Sequence, residues 1–358
     1  MKWPCPAAKL LETIFIILLT VSAAHAQTGF KVFLVGDAGD HTEPGITLRN
    51  LEAELIKNPN SAVVFLGDNS YKNILWGIIP YGFKGFDSTR NTMDKVRSQL
   101  VILDNYYGSV FFTPGNHDWW NRTTYKRGKS KLAMEESFIE ENLKGNSHIA
   151  NPGNVFLPKH GNYGPEYVEL NNHTLRIIFI DTYRIIQTGI KKNKIPEEEK
   201  LIYNKLDSMI SQGYRLNQKV VVVAHHPVHA IGPINNLPKI PYFQARIKAS
   251  LINFPSYQAM TTQMIKVLQR YPGIYYVSGH LHALQYFCTP DSIHYIISGS
   301  GSKEHKMAEW DILKYEAEEK PGDFLLWNSG GFFEIEFDGD TTRTVLYYDN
   351  ASKKCTIP

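Results

Sequence analysis

Cysteine is scarce: three residues in 358, at positions 5, 288 and 355. That excludes a disulfide scaffold. Cys288 and Cys355 allow one bridge at most, and sequence alone does not show that they meet. Long apolar runs are lacking too. Thr13 to Val21 (TIFIILLTV) is short of the roughly 20 apolar residues that cross a bilayer, and no later stretch is better suited. A charge excess is missing: 38 Lys and Arg stand against 35 Asp and Glu. No basic stripe points to nucleic acid, and no like-charge run forms a tail. No repeat, low-complexity tract or linker interrupts the chain. Aromatic residues, 12% of the total, are spread along all of it, which speaks against disorder.

The N-terminus has its own pattern. Lys2 and Lys9 precede the apolar run, and Ala24-His25-Ala26 follows it as an A-x-A cleavage site. Residues 1–26 therefore read as a secretory signal peptide, with Gln27 starting the mature chain; the alternative, a membrane anchor, suffers from the short run. The expected location is exported, periplasmic or extracellular by a secretory route, with no membrane association after cleavage. Residues 27–358 read as a single domain.

Within that domain lie five short polar stretches: GDAG (36–39), GDNSY (67–71), GNHD (115–118), AHHP (224–227) and GHLH (279–282). Four follow apolar, β-branched or aromatic runs, namely KVFLV, AVVFL, KVVVV and IYYV. The fifth follows SVFFTP, a broken version of the same. Such runs read as buried strands. Each delivers Asp, Asn, His or Tyr at a strand's C-terminal end, the edge where open α/β sheets bind ligands.

The pattern predicts strands over 31–37, 62–68 and 109–115, with helices over 45–57 and 89–105 between them. A basic loop over 121–131 is followed by a helix to about 143. An antiparallel hairpin, 166–170 with 175–181, turns at Asn171-Asn172. Residues 183–196 read as a polar loop. Pro196 starts a helix with three Glu in its first turn. Strand 219–225, a long loop over 227–256, helix 257–270, strands 274–280 and 293–299, and a closing hairpin over 331–348 complete the chain. The expected fold is α/β, a four-layer α-β-β-α sandwich: two mixed sheets face to face, helices outside, one shared site edge.

Each polar stretch alone has a plain explanation. Asp37 and Asp68 suit helix N-caps, Asn116 suits a turn, and His225 or His280 suits a satisfied core position. Their joint occurrence at successive strand ends points instead to a metal-dependent hydrolase.

At this point the chain resembles a known family. GDAG, GDNSY, GNHD, VVAH (222–225) and GHLH match the five blocks of the calcineurin-like metallophosphoesterases. The Tyr of GDNSY marks the purple acid phosphatase branch, and the likeness is nearest to its small, single-domain mammalian, tartrate-resistant type. FIDT (179–182), HALQYF (282–287), ISGSGS (297–302) and GGFFEIEF (330–337) extend it over nearly the whole mature chain, as one metallophosphoesterase catalytic domain. The resemblance implies two metal ions. Asp37, Asp68, Tyr71 and His282 would hold Fe(3+). Asp68, Asn116, His225 and His280 would hold a divalent ion (Fe, Zn or Mn), with Asp68 bridging. It also implies direct attack on phosphorus by metal-bound hydroxide. His117 would bind phosphate or protonate the leaving group, Asp118 would orient His117 by a hydrogen bond, and His226 would face away from the metals.

The chain also departs from that type. Ile234 stands where the mammalian enzymes carry a second His, and His229 is the available substitute. The loop at 183–196 does not match the family's regulatory loop, and 227–256 has no counterpart. The expected function is a secreted acid phosphatase acting on phosphate monoesters, and on anhydrides as a further class. The alternative is a phosphodiesterase or nucleotide pyrophosphatase of the same superfamily. Tyr71 argues against the alternative, as does Gly39 where general phosphodiesterases place a His. A metal-free binding module would show eroded ligands, whereas all seven positions are filled. The expected partner is a small phosphorylated substrate, not nucleic acid; oligomeric state stays open. Asn121, Asn172 and Asn350 begin glycosylation sequons.

Overall fold

The computed structural model describes residues 29–71, 88–119, 125–146, 148–190, 197–231, 255–304, 322–349 and 353–357. In chain order the elements are β1 (Phe30–Val35), α1 (Ile46–Lys57), β2 (Ser61–Phe65), α2 (Ser88–Leu100), β3 (Ser109–Phe112), α3 (Tyr125–Lys144), β4 (Glu166–Leu170) and β5 (Leu175–Phe179). Next come α4 (Thr182–Ile190), α5 (Glu197–Arg215), β6 (Lys219–Val223), α6 (Pro255–Leu268), β7 (Tyr275–Ser278), β8 (Leu284–Cys288) and β9 (His294–Ser298). The closing strands are β10 (Phe324–Leu326), β11 (Gly331–Asp338), β12 (Thr341–Tyr348) and β13 (Lys353–Ile357).

The apolar runs become strands buried on both faces, as their composition requires. Along β1, Val32 and Leu34 turn inward to the second sheet while Phe33 and Val35 turn outward to helices. Val221 and Val223 of β6 face in, and Val220 and Val222 face out. Two mixed sheets result. The first has the order β13-β12-β11-β1-β2-β3, parallel only across β1-β2-β3. The second has the order β10-β8-β9-β7-β6-β5-β4, parallel across β9-β7-β6-β5. Their facing sides share one apolar layer that includes Phe111, Ile177, Val277, Ile296, Phe333 and Ile335. Leu48, Leu51 and Leu55 of α1 cover one outer face; Leu206 and Ile210 of α5 with Met260 and Met264 of α6 cover the other. This is the expected four-layer sandwich. Among the described residues no helix is long and apolar enough to cross a membrane.

Several expectations are corrected. Residues 182–190 form a helix, not a polar loop. Tyr183, Ile185 and Ile186 are buried at helical spacing, and Asp181 caps the first turn by accepting from the Arg184 amide at 2.9 Å. The basic stretch before Lys131 is largely helical, because Lys and Arg are good helix formers and their charge alone does not make a loop. The β4–β5 connection takes four residues, with Asn171, Asn172 and His173 all at positive φ. Asn172 is exposed there. Cys288 is a free, exposed thiol on β8, while Cys355 lies on the edge strand of the other sheet. Most of the loops at 69–88 and 227–256, with Ile234, Asn121 and Asn350, fall outside the described residues.

Candidate metal centre

The parallel strands β1, β2 and β3 of one sheet and β6 and β7 of the other end on the same side, and the two edges are stitched together. Gly36 donates to the Ser298 carbonyl at 2.7 Å, and the Ser298 hydroxyl donates to the Leu34 carbonyl at 2.6 Å. Asp37 follows β1, Asp68 and Tyr71 follow β2, Asn116 follows β3, His225 follows β6, and His280 and His282 fill the turn from β7 to β8. All seven residues expected as ligands converge.

They form two groups with Asp68 between. In the first, the Tyr71 hydroxyl donates to Asp37 Oδ1 at 2.5 Å and lies 3.1 Å from His282 Nε2. In the second, Asn116 Oδ1 lies 3.1 Å from His225 Nε2 and 2.9 Å from His280 Nδ1. Asp68 Oδ1 is 3.4 Å from His225 Nε2. One donor atom from each of Asp37, Asp68 and His225 falls within 4.8 Å of the others.

Close backbone packing makes this possible. Asp37, Asp68 and His280 all adopt left-handed φ, at 57°, 54° and 69°, a strain that surrounding structure must hold. A Cβ at Gly115 would lie 2.3 Å from the Asp68 amide nitrogen, and one at Gly279 would lie 2.5 Å from Asp37 Oδ2. Glycine is required at 115, where backbone is met, and a side chain at 279 would push the Asp37 carboxylate aside.

The electrostatics of the cluster call for positive charge. His225 Nδ1 faces the Leu66 carbonyl at 2.8 Å, so that nitrogen carries the proton. In the neutral ring Nε2 is then a bare lone pair, aimed at two further acceptors, Asn116 Oδ1 and Asp68 Oδ1. Burial opposes charge on this imidazole, yet Asp68, Asp37 and the Leu66 carbonyl outweigh it and lift His225 to about 10. Burial likewise opposes charge on Asp68, but His225 and His117 hold its carboxyl well below the usual range. Burial, Asp37 and Asp68 push the Tyr71 phenol well above its ordinary value. Convergent acceptors, three imidazoles and a resisted phenol fit a pair of cations.

His117 is half-buried. Its amide donates to Asp68 Oδ1 at 2.8 Å, its Nε2 lies 4.0 Å from Asp68 Oδ2, and its ring lies 4.5 Å from that of Tyr71. Asp118 does not turn toward it. Its carboxylate accepts from the Gly115 amide at 2.7 Å, the Ser70 amide at 3.1 Å and Asn69 Nδ2 at 3.3 Å. Asp118 therefore ties the GDNSY and GNHD loops together. These amides lie beside the buried carboxylate, and side-chain bonding follows proximity.

Sequence reasoning missed Glu135 of α3. It is buried and accepts from Asn69 Nδ2 at 3.2 Å and Ser70 Oγ at 3.0 Å. Burial and the neighbouring Asp118 raise its carboxyl well above normal. Burial and Asp68 raise Asp118 to about 7. No local motif marks Glu135; its partners are 65 and 66 residues away. His226 is buried with Nδ1 at 2.9 Å from Thr182 Oγ1, and its ring lies 4.4 Å from His280. One ring nitrogen each from His225, His226 and His280 falls within a 4.8 Å group. His229 is exposed, stacks on Tyr295 and lies edge-on to Phe287.

A family profile described as Calcineurin-like phosphoesterase matches residues 30–284. No curated protein sequence matches significantly. Among solved structures, the chain is similar to GAP50, the anchor in the inner membrane complex of Plasmodium, at 17% identity and TM-score 0.55 over 92% of this chain and 89% of that one. It is similar to a dimetal phosphatase from Danio rerio at 14% identity and TM-score 0.52, over 92% and 99%. PhoD aligns at 10% identity and TM-score 0.54, over 92% and 72%. At these identities the structural likeness speaks for the fold.

Proposed function

The chain belongs to the calcineurin-like phosphoesterase family, metal-dependent phosphoester hydrolases, and from that premise we propose that it is an exported acid phosphatase of the purple type acting on phosphate monoesters. One observation carries this reading. Tyr71, a buried phenol, contacts Asp37 and His282 beside a second group in which Asn116 meets His225 and His280 and Asp68 lies against His225. Asp37, Asp68, Tyr71 and His282 would hold a ferric ion; Asp68, Asn116, His225 and His280 would hold a divalent one. The hard, anionic oxygen set suits the trivalent charge, and the amide with two imidazoles suits the divalent. Such a pair supplies activation of water and a clamp on the phosphate oxygens.

The protein's own groups do the rest. Asp68 reaches both clusters and fixes their separation. The Leu66 carbonyl keeps the His225 proton on Nδ1 and leaves Nε2 free to bind. His117, partly exposed beside Tyr71 and Asp68, supplies a proton from Nε2 to the leaving oxygen. That role needs the protonated ring, so turnover falls as pH rises.

Position 39 weighs against the diesterase alternative. A Cβ there would lie 2.2 Å from the Asn69 carbonyl, so a His in that place would displace the loop bearing Asp68 and Tyr71. The likeness to an anchor protein raises a non-catalytic reading, which an intact, convergent ligand set does not favour.

Metal analysis with a visible spectrum tests the proposal. We expect about two ions per chain, including iron, a broad visible band lost in Tyr71→Phe, and faster turnover of a monoester than of a diester. A colourless, iron-free but active protein would refute the purple assignment.

A further inference from the structure

Tyr71 has a charged neighbour that the proposed chemistry does not use. Lys303 Nζ lies 3.6 Å from the centroid of the Tyr71 ring, a cation–π contact. The loop that carries Lys303 is fixed to the loop that carries Asp37. Gly301 donates to the Gly36 carbonyl at 2.9 Å, the Ser302 amide to the Asp37 carbonyl at 3.1 Å, and the Ser302 hydroxyl to that same carbonyl at 2.8 Å. Ser302 Oγ in turn accepts from the Asp40 amide at 2.9 Å. The Asp40 carboxylate holds Lys303 and Lys95, each at 3.7 Å, and Lys95 Nζ donates to the Tyr71 carbonyl at 2.9 Å. Tyr71 is thus held at its backbone by one ammonium and at its ring by another.

We infer that Lys303 is a positioning residue for Tyr71, placing a fixed positive charge against the ring that donates electron density to the ferric ion. The inference rests on the ferric, phenolate-bearing reading above. Its physical content is specific. The visible band moves an electron from the phenolate ring to the iron. The ammonium lies over the ring, so it is closer to the donor than to an ion held beyond the phenol oxygen. Positive charge near the donor stabilises the electron before transfer and raises the energy of the band. Removing the charge must lower it.

The test uses the purified, iron-loaded full chain. Lys303→Met keeps the length of the stem and removes the charge, Lys303→Gln is a second neutral form, and Lys303→Arg keeps the charge. We expect unchanged iron content in all three. The band should shift to longer wavelength in both neutral variants and stay near the wild-type position in Lys303→Arg. An unmoved band in the neutral variants overturns the inference while leaving the ferric reading intact. Loss of fold in both neutral variants would make the charge structural and overturn it too. A wild type without any band overturns the ferric reading, and this inference with it.

Discussion

Glu135 and Asp118 show how much of the site is held by groups that touch no substrate. Burial and the adjacent Asp118 oppose charge on Glu135 and raise its carboxyl well above the ordinary range. It accepts from Asn69 and Ser70, while Asp118 takes the Gly115 and Ser70 amides. The pair braces Asp68 and Asn116 from behind. Glu135→Leu would leave the Ser70 hydroxyl without its acceptor, a cost of about 1–3 kcal/mol for a buried group, while Asn69 Nδ2 keeps the Thr113 carbonyl and Asp118. It should also weaken metal affinity by roughly 10–100-fold, the usual effect of losing an outer partner. Glu135→Gln should retain most of the affinity, since its amide can accept at one atom and donate at the other. Metal content after dialysis against buffered ion distinguishes the two. Equal affinity in Glu135→Leu and wild type would remove Glu135 from this role.

At the scale of elements, β5 carries an unusual buried cation. Arg176 donates to the Met209 carbonyl, Gln212 Oε1 and Glu169 Oε1, and lies over the Tyr167 ring. It thereby joins β4, β5 and α5. Glu169 accepts from Gln218 and Arg176 and pairs with His173, which lowers its pKa to about 2. A carboxyl near 4.3 when unfolded and about 2 when folded stabilises above the unfolded value and loses that contribution as pH falls through the folded one. Glu169→Ala should therefore destabilise the fold at neutral pH, by less than the full shift implies, because Glu169 is partly solvated and Arg176 keeps the Met209 carbonyl and Gln212 as acceptors. The gap to wild type should narrow toward pH 2. Urea denaturation at several pH values reads both effects, and a gap that stays constant with pH would contradict the assignment. Legibility also varied by element. The apolar runs before the five polar stretches announced β1, β2, β3, β6 and β7, because buried parallel strands need continuous apolar sequence. The positions expected for ligands were legible with them, since each lies within a few residues of a strand end. Helix α4 was hidden: Thr182, Arg184, Gln187 and Thr188 look loop-like, and only packing shows Tyr183, Ile185 and Ile186 to be one buried face. Strands β8, β10 and β13 border or end their sheets with short, mixed sequences. Glu135, Lys95 and Lys303 reach the site from a helix or a distant loop, so no local spacing marks them.

The whole molecule places the seven proposed ligands on both sheets. Asp37, Asp68, Tyr71 and Asn116 belong to loops of the first; His225, His280 and His282 belong to loops of the second. Ion binding must then oppose separation of the sheets. With free ion at 100 times its dissociation constant, the linkage stabilises by about 2.7 kcal/mol per ion, or several degrees in Tm for a chain of this size. Chelation followed by scanning calorimetry should show that fall, reversed when the ions are returned. An unchanged Tm with the metal demonstrably removed would sink the idea that the ions join the sheets.

The bond from His225 Nδ1 to the Leu66 carbonyl crosses from one sheet to the other. The proton that decides which imidazole nitrogen is available stays on Nδ1, held there by a backbone carbonyl of the opposite layer. Ligand competence at His225 becomes a property of the spacing between two β-sheets. The valines and phenylalanines that set that spacing act, at a distance, on the coordination chemistry at the edge.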